Sequence, residues 1–261
     1  MNIEQLREIY DTYQRKHDVD PSAERDERPE LVRYYLPSMN FGFVLFSNLT
    51  PQNADQVIAD TIAYYQQKGC DFEWKYFDYD TPADLPERLI AQGLQPDEAE
   101  AVMVLEIKNA PARLLETPQY DIQRATTLEQ LHHADAIQDA VWGNEPRQKV
   151  SERVLGMWDD DPNSVSLHIA YIENKPVSYG RVEFSQGDNP FASIWSGSTL
   201  PDYRGRGIYT AVVASRLQEA QQRQYQYLTV DAKPDTSMPI LNKLGFITIT
   251  YSTPYNWAVG G

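Results

Sequence analysis

The chain has 261 residues, of which 41% are hydrophobic and 23% charged, a composition typical of a folded globular protein and not of a disordered one. Its formal net charge of −15 argues against nucleic acid or an anionic membrane as a partner, because both require a broad basic surface, and it is compatible with an amine substrate. With Cys70 as the single cysteine, an intrachain disulfide and a cysteine-rich metal site are excluded.

The sequence also predicts a cytoplasmic location. Residues 1–18 are charged throughout and lack the apolar core of a signal peptide. Nowhere do about eighteen apolar residues follow one another, as a membrane-spanning helix requires. We expect a monomer or homodimer that binds no metal.

Helix and strand patterns alternate through the first half of the chain. An amphipathic opening helix carries Ile3, Leu6 and Ile9 on one face, and residues 18–30 follow as a charged predicted loop. From residue 31 the predicted order is strand, strand, helix, strand, helix, strand, over residues 31–36, 41–46, 50–69, 72–79, 84–94 and 100–107.

Residues 111–119 contain two prolines and little periodicity, which predicts a linker between domains 1–110 and 120–261. In the second domain Thr127 and Gln130 form the pattern of a helix capping box. Its predicted strands cover residues 120–126, 164–172, 176–184, 191–200, 227–232, 247–252 and 256–259, and its predicted helices residues 127–142, 146–158, 208–223 and 236–246.

The two halves share an ending of helix, strand, short helix closed by glycine, and strand. DLPERLIAQGL in the first half corresponds to SMPILNKLGF in the second, about 150 residues later, which indicates an internal duplication. A coincidence of patterns is the alternative.

The stretch YRGRGIYTAV, residues 203–212, lies between a predicted strand and a predicted helix. Backbone N–H groups and the helix N-terminus would converge there on a bound anion, and Arg204 and Arg206 add positive charge. The spacing fits neither a Walker loop nor a dinucleotide-binding motif. The alternative interpretation is a tight turn whose glycines serve only the backbone conformation.

The segments LPDYRGRGIYTAVVASRL and LTVDAKPDTSMPILNKLGF together resemble the GNAT family of acyl-CoA-dependent N-acyltransferases, over residues 120 to about 251. The resemblance implies an α+β fold with a central, twisted mixed sheet flanked by helices, duplicated here in tandem. It implies transfer of an acetyl group from acetyl-CoA, or a related acyl-CoA, to an amine of a small molecule or peptide. It also implies that the strands holding SIWSGST and YLTVDA splay apart to admit the cofactor arm.

The resemblance further implies a set of cofactor-binding residues. The pyrophosphate would be held by Arg204, Gly205, Arg206, Gly207, Tyr209 and Thr210, and the pantetheine amides by Gly197, Ser198, Thr199 and Leu200, with Ser237 nearest to a further family position. Two residues depart from the family pattern. Tyr209 stands where glycine or alanine is usual, and Leu241 where a tyrosine often serves as general acid.

Two residues are candidates for acid–base catalysis. Glu183 lies on a predicted strand beside the cleft and would act through water, with a solvated carboxylate as the alternative. His168 lies opposite the apolar face of its strand and would face the cleft, with a structural histidine as the alternative.

In the first half, the counterpart of the phosphate loop is LFSNLTPQNAD, which has neither glycine nor arginine. We therefore expect a degenerate repeat that binds no cofactor. Two other functions stay open: a catalytically weak or inactive acyl-CoA-binding regulatory module, and a structural or interaction protein that binds no coenzyme A.

Overall fold

The computed structural model describes residues 2–18, 23–143 and 148–260. The chain divides into two compact units: Met1–Met103 with Asp231–Pro239 and Thr248–Gly261, and Val104–Val230 with Ile240–Ile247. Four elements contribute residues to both units: strands β6, Glu100–Glu106, β11, Tyr227–Ala232, and β12, Ile247–Trp257, and helix α8, Ser237–Lys243. No helix of the described residues combines the length and apolar character needed to cross a bilayer.

The first unit begins with α1, Ile3–Tyr10, which opens with a capping box between Asn2 and Gln5 and continues as a π-helical stretch, Asp11–Lys16. Its further elements are β1 Glu24–Arg28, β2 Leu31–Leu36, β3 Phe41–Ser47, α2 Ala54–Lys68, β4 Asp71–Phe77, α3 Leu85–Ala91, β5 Gln95–Pro96 and the last strand of the chain, β12 Ile247–Trp257.

The strands of the first unit lie in the order β1-β2-β3-β4-β12, with β5 pairing β12. The β3–β4 pair is parallel, as a strand–helix–strand connection requires, and the β4–β12 pair is antiparallel. Trp74 and Phe72 are fully buried in its core, against Ile58 and Tyr65 of α2 and Leu89 of α3.

Two predictions for this unit need correction. Residues 24–28 lie in a predicted loop but form strand β1, because pairing with β2 supplies the hydrogen bonds and Asp26 meets the buried Arg33 at 2.6 Å. An edge strand of charged residues has no apolar alternation to reveal it. The two predicted terminal strands are one strand, β12, which continues through Pro254.

The second unit is a mixed sheet with helices on both faces. Its elements are α4 Ala112–Leu115, β7 Asp121–Arg124, α5 Leu128–Trp142, α6 Val150–Asp160, β8 Val165–Ile172, β9 Lys175–Phe184, β10 Phe191–Thr199, α7 Ile208–Gln222 and β11 Tyr227–Ala232. The strand order is β11-β10-β9-β8-β7, with β10 and β11 parallel. Leu167 and Tyr179 pack with Leu131 of α5 on one face, and Val177 packs with Val212 of α7 on the other.

The grouping of contacts differs from the division expected from the sequence. The predicted linker, residues 111–119, contains α4, whose Leu114 is fully buried, and Gln218 Nε2 donates to the carbonyl oxygens of Leu114 and Glu116 at 3.0 and 2.8 Å. The C-terminal strand groups with the first unit, because β12 pairs with β4. The predicted helix 146–158 begins at Val150 among the described residues, and residues 146–147 lie outside them.

Candidate functional site

The loop before α7 has the backbone conformation that its glycines suggest. Gly205 and Gly207 have φ of +74° and +80°, in the left-handed region that strongly favours glycine. A Cβ built on either residue would meet nothing within 4 Å, so the space above the loop is open. The two glycines thus form an exposed turn at the start of a 15-residue helix.

Helix α7 begins at Ile208 without a side-chain cap in the described part of the chain. The first amide groups of an uncapped helix carry partial positive charge and favour an anion. Arg204 Nε donates to the Thr199 carbonyl oxygen at 3.1 Å and ties the loop to β10, whereas Arg206 lies over the Tyr203 ring. Both arginines are exposed to solvent.

A gap opens between β10 and β11 beside this loop. The strands pair from Phe191 with Tyr227 to Ser193 with Thr229, and no further pair is formed between them in the described residues. Past that point β10 has an irregular register with β9 between Trp195 and Ser198, and Ser196 has a φ of +52°. The exposed edge of β10 at the bulge is the splayed strand that the resemblance implies.

The residues predicted to contact the cofactor arm lie on this edge, with different exposure. Gly197 is exposed, whereas Ser198 and Thr199 are buried. Ser178 Oγ donates to the Ser198 carbonyl oxygen at 2.8 Å, and the Leu200 amide donates to Val177. The start of α7, with Tyr209 and Thr210, lies next to Gly197, so most of the predicted cofactor residues come together.

The bulk of Tyr209 is accommodated by the glycine opposite it. A Cβ on Gly197 would lie 2.7 Å from Tyr209 Cε2, so only glycine leaves room for the ring against β10. Burial raises the pKa of the phenol, and the positive charge of Arg216 opposes that rise only in part.

Arg216, on α7, has no counterpart among the sequence predictions. It is 1% exposed, and its Nη1 donates to the carbonyl oxygens of Arg181 at 3.1 Å and Trp195 at 3.4 Å. A Cβ on Gly180 would lie 2.6 Å from its Cζ. Burial lowers the pKa of Arg216 to about 10, so the guanidinium keeps its charge near neutral pH. A charged residue amid the apolar positions of α7 is the signal that sequence reasoning missed.

Glu183 is held by two guanidinium groups. Its Oε1 lies 2.7 Å from Arg181 Nε and 3.8 Å from Arg153 Nη2, and its side chain is 20% exposed. Across the β9–β10 pair it faces Ser193, close to the bulge. These ion pairs account for the position of the Glu183 carboxylate, and they do not by themselves indicate a catalytic role.

His168 is buried on the α7 side of the sheet. Its Nδ1 lies 2.8 Å from Ser215 Oγ and its Nε2 2.7 Å from Glu219 Oε2, so both ring nitrogens are engaged. Burial lowers the pKa of the imidazole. Ser237 groups with the first unit, where its hydroxyl accepts a hydrogen bond from the Lys233 amide at 2.9 Å. The contacts give both residues structural roles.

Comparisons with known proteins agree with this geometry. Residues 127–246, which include the loop, the bulge and α7, match the model of the acetyltransferase (GNAT) family. These residues form a GNAT domain. The GNAT domain is also 29% identical over 121 residues to an uncharacterized N-acetyltransferase, ycf52, of Pyropia yezoensis. That match covers 45% of this chain, and the chain spans 64% of the length of the relative.

Solved structures extend the likeness of fold beyond the GNAT domain. A GCN5-related N-acetyltransferase from Kribbella flavida aligns with a TM-score of 0.67 and 14% identity, over 98% of this chain and 93% of that one. A tandem GNAT protein from the clavulanic acid biosynthesis pathway aligns with a TM-score of 0.61 and 13% identity, over 94% of this chain and 86% of that one. The fold is therefore a mixed α/β GNAT fold, as predicted.

Proposed function

We propose that the GNAT domain binds acetyl-CoA, or a related acyl-CoA, and transfers the acyl group to an amine of a small molecule or peptide. The observation that carries the proposal is the open, uncapped start of α7, with Gly205 and Gly207 in left-handed conformations, beside the gap between β10 and β11. The residues fit a phosphate ester, because the helix start has no side-chain cap and Gly205 and Gly207 present no Cβ to a ligand.

The cofactor is proposed to lie along the edge of β10. The pyrophosphate would contact the amides from Gly205 to Thr210 and the exposed Arg206, and the pantetheine arm would follow β10 past Leu200 and Gly197. The thioester would then lie at the bulge near Trp195, where the two strands separate. This path leaves out Ser237, and Arg204 would support it by holding the loop against β10.

Transfer requires a neutral amine as nucleophile. An amine with a pKa of about 10.4 is less than about one part in a thousand neutral at pH 7, so a proton acceptor or a water relay assists the attack. Of the two predicted bases, Glu183 is the better candidate, because it is partly exposed and lies one strand from the bulge. His168 is the weaker candidate, since both of its ring nitrogens already have partners.

The first unit is proposed to be a second, degenerate GNAT-like repeat that holds no cofactor. In the loop before α2, the Thr50 amide and hydroxyl both donate to Asn53 Oδ1, at 2.7 and 3.0 Å. The turn thus satisfies its own polar groups, and LFSNLTPQNAD supplies neither a flexible glycine nor a cation to an anionic ligand.

Calorimetric titration with acetyl-CoA tests the cofactor proposal. The wild type is expected to bind, and Gly207→Asp to weaken binding by at least about 100-fold, roughly 2.7 kcal/mol, because a carboxylate would occupy the anion position. Gly187→Asp is the matched control. Gly187 has a φ of +65° and open space around it, so this substitution adds the same charge and a similar backbone strain at another site. Equal affinity of the Gly207 variant and the wild type would refute the anion site.

Release of free thiol in the presence of an amine panel tests the transfer step. The panel contains a polyamine, an amino acid, an amino sugar and a peptide with a free α-amine. We expect turnover with at least one of them. Binding of acetyl-CoA without turnover would favour a regulatory acyl-CoA-binding module, and no binding by the wild type would leave only a structural or interaction role.

A further inference from the structure

Arg181, on β9, is a buried cation whose hydrogen-bonding capacity is not used up. Its side chain is 8% exposed, and among the described residues Glu183 is the carboxylate with which it forms an ion pair. Arg181 Nε lies 2.7 Å from Glu183 Oε1, yet neither atom makes a hydrogen bond to a described residue, so the N–H group is not directed at the carboxylate. A buried donor without an acceptor is unfavourable, which suits the site to a further anionic ligand.

A second guanidinium lies against the same carboxylate. Arg153 of α6 places its Nη2 3.8 Å from Glu183 Oε1. Burial lowers the pKa of Arg181, Glu183 opposes that change only in part, and the positive charge of Arg153 adds to it. A ligand anion beside Arg181 would therefore be attracted by two guanidinium groups, against repulsion from the one carboxylate of Glu183.

Arg181 lies one strand away from the place proposed for the thioester. It pairs across β9 and β10 with Trp195, which is the last paired residue before the bulge and is 37% exposed. Residues directly opposite each other in an antiparallel pair point to the same face, with Cβ atoms about 4.5 to 5.5 Å apart. On its other side Arg181 pairs with Leu167 of β8, which packs against α5 and α6. Arg181 and Trp195 therefore share the face of α5 and α6.

The opposite face of the sheet is occupied at this position. Arg216 of α7 covers Gly180, next to Arg181, and its Nη1 donates to the carbonyl oxygens of Arg181 and Trp195. An acceptor that reaches the bulge would therefore approach from the face of α5 and α6, where it meets the Arg181 side chain and the exposed Trp195 ring.

Resting on the proposed function, we propose that the acceptor amine carries a carboxylate close to its nitrogen, as an amino acid does, and that Arg181 is the specificity-determining residue that binds this carboxylate. A guanidinium offers parallel N–H groups that match the two oxygens of a carboxylate. With its carboxylate on Arg181, an amino acid would have its amine near Trp195 and close to Glu183, the better candidate for the base.

Steady-state kinetics with a matched pair of acceptors, the most active amino acid and its primary amide, test the inference. The two acceptors differ in charge and little in size. In Arg181→Gln we expect kcat/KM for the amino acid to fall by at least about 30-fold, as for loss of a charged hydrogen bond, while kcat/KM for the amide changes by less than about threefold. The KM for acetyl-CoA should stay within about twofold of the wild-type value.

The comparison of two acceptors removes effects that do not involve the carboxylate. Because Arg181 also lies against Glu183, its loss would slow both acceptors equally if its role were structural, and the ratio of the two kcat/KM values would not change. The lower basicity of the amide's amine is the same in every variant and cancels in that ratio. Arg124→Gln is the matched control, since Arg124 is an exposed arginine of β7, and it should leave the ratio unchanged.

Arg181→Lys keeps the positive charge near Glu183 and loses the parallel N–H groups. We expect the preference for the amino acid over the amide to lie between those of the wild type and Arg181→Gln. This variant preserves the buried ion pair, so it tests the inference even where Arg181→Gln does not fold.

A binding measurement needs no turnover. The amino acid, its amide and phosphoethanolamine are titrated calorimetrically into protein saturated with coenzyme A, which has no acyl group to transfer. In the wild type we expect the amide to bind at least about tenfold more weakly than the amino acid, and Arg181→Gln to abolish this difference. Tighter binding of phosphoethanolamine than of any amino acid would assign the site to a phosphate and overturn the carboxylate.

The outcomes separate this inference from the proposed function. An equal loss of activity toward amino acid and amide in Arg181→Gln overturns the inference, since that result makes Arg181 a structural partner of Glu183. Turnover of a polyamine or an amino sugar, with none of any amino acid, also overturns it and leaves the transferase standing. A wild type that acetylates no amine overturns both.

Discussion

Glu219 organises a buried polar network between β8 and α7. Its Oε2 lies 2.7 Å from His168 Nε2, and its Oε1 accepts hydrogen bonds from Ser166 Oγ at 2.9 Å and Arg223 Nη2 at 2.7 Å. Burial raises the pKa of the carboxyl, but the bonds from His168 and Ser166 and the nearby positive charges outweigh it and hold the pKa at about 2. The carboxylate is therefore stabilising in its charged form.

This network predicts a loss of stability in acid. Because the pKa of Glu219 is lower in the folded than in the unfolded chain, its stabilisation is complete above about pH 4.5 and is lost as the pH falls toward 2. Glu219→Gln should lower the free energy of unfolding by about 2 to 3 kcal/mol at pH 7, and by much less near pH 3. Urea unfolding across pH measures this, with the exposed Glu116→Gln as control. A difference that does not change with pH would contradict the assignment.

At the scale of elements, each unit packs a large polar side chain of a helix over a glycine of a strand. In the second unit Arg216 of α7 covers Gly180 of β9, and in the first unit Tyr65 of α2 covers Gly42 of β3. The Tyr65 hydroxyl donates to the carbonyl oxygens of Tyr34 and Phe43, at 2.8 and 3.0 Å. The missing Cβ lets the helix approach its sheet while the polar end satisfies strand carbonyl groups.

The packing of α7 on β9 gives a stability prediction. In Gly180→Ala the new Cβ would lie 2.6 Å from Arg216 Cζ, and because the guanidinium is buried it moves only by losing carbonyl contacts. We expect unfolding in urea to require about 1 to 3 kcal/mol less than in the wild type. Gly156→Ala is the matched control, since Gly156 lies in α6 with open space around it, and alanine there should add about 0.5 to 1 kcal/mol. Similar effects of the two substitutions would argue against close packing at Gly180.

At the scale of the whole molecule, the C-terminal strand belongs to the first unit, together with the N-terminal residues. Strand β12 pairs with β4 from Ser252 opposite Phe77 to Trp257 opposite Phe72, and Tyr255 is buried in the core of that unit. The C-terminal residues therefore stabilise a unit that otherwise consists mostly of the first 103 residues.

This arrangement predicts where a core substitution at the C-terminus acts. Tyr255→Ala should cost about 3 kcal/mol and reduce hydrogen-exchange protection in β4, while the amides of β8 and β9 keep theirs. Asn256→Ala, at an exposed position of the same strand, should leave protection unchanged. Equal loss of protection in β4 and in β8 would show that the two units unfold together.

Much of the local structure follows from short-range signals. The capping box of Thr127 and Gln130 and the strand predicted over residues 164–172 each depend on neighbours in sequence, and both are found in the structure. The loop of Gly205 and Gly207 was predicted for the same reason, since a strand, two glycines and a helix are adjacent in the chain.

The sequence by itself indicated the loop at the start of α7, because a strand, two glycines and a helix follow one another in the chain, and its resemblance to the GNAT family implied the fold of the second unit. Only the tertiary structure decided the rest. Strand β1 depends on pairing with β2, β12 on pairing with β4 far away in sequence, and the contact of Tyr209 with Gly197 on the meeting of a helix and a bulge. The burial of Arg216 also depends on tertiary structure, since two of its three carbonyl partners come from strands whose positions no local pattern specifies.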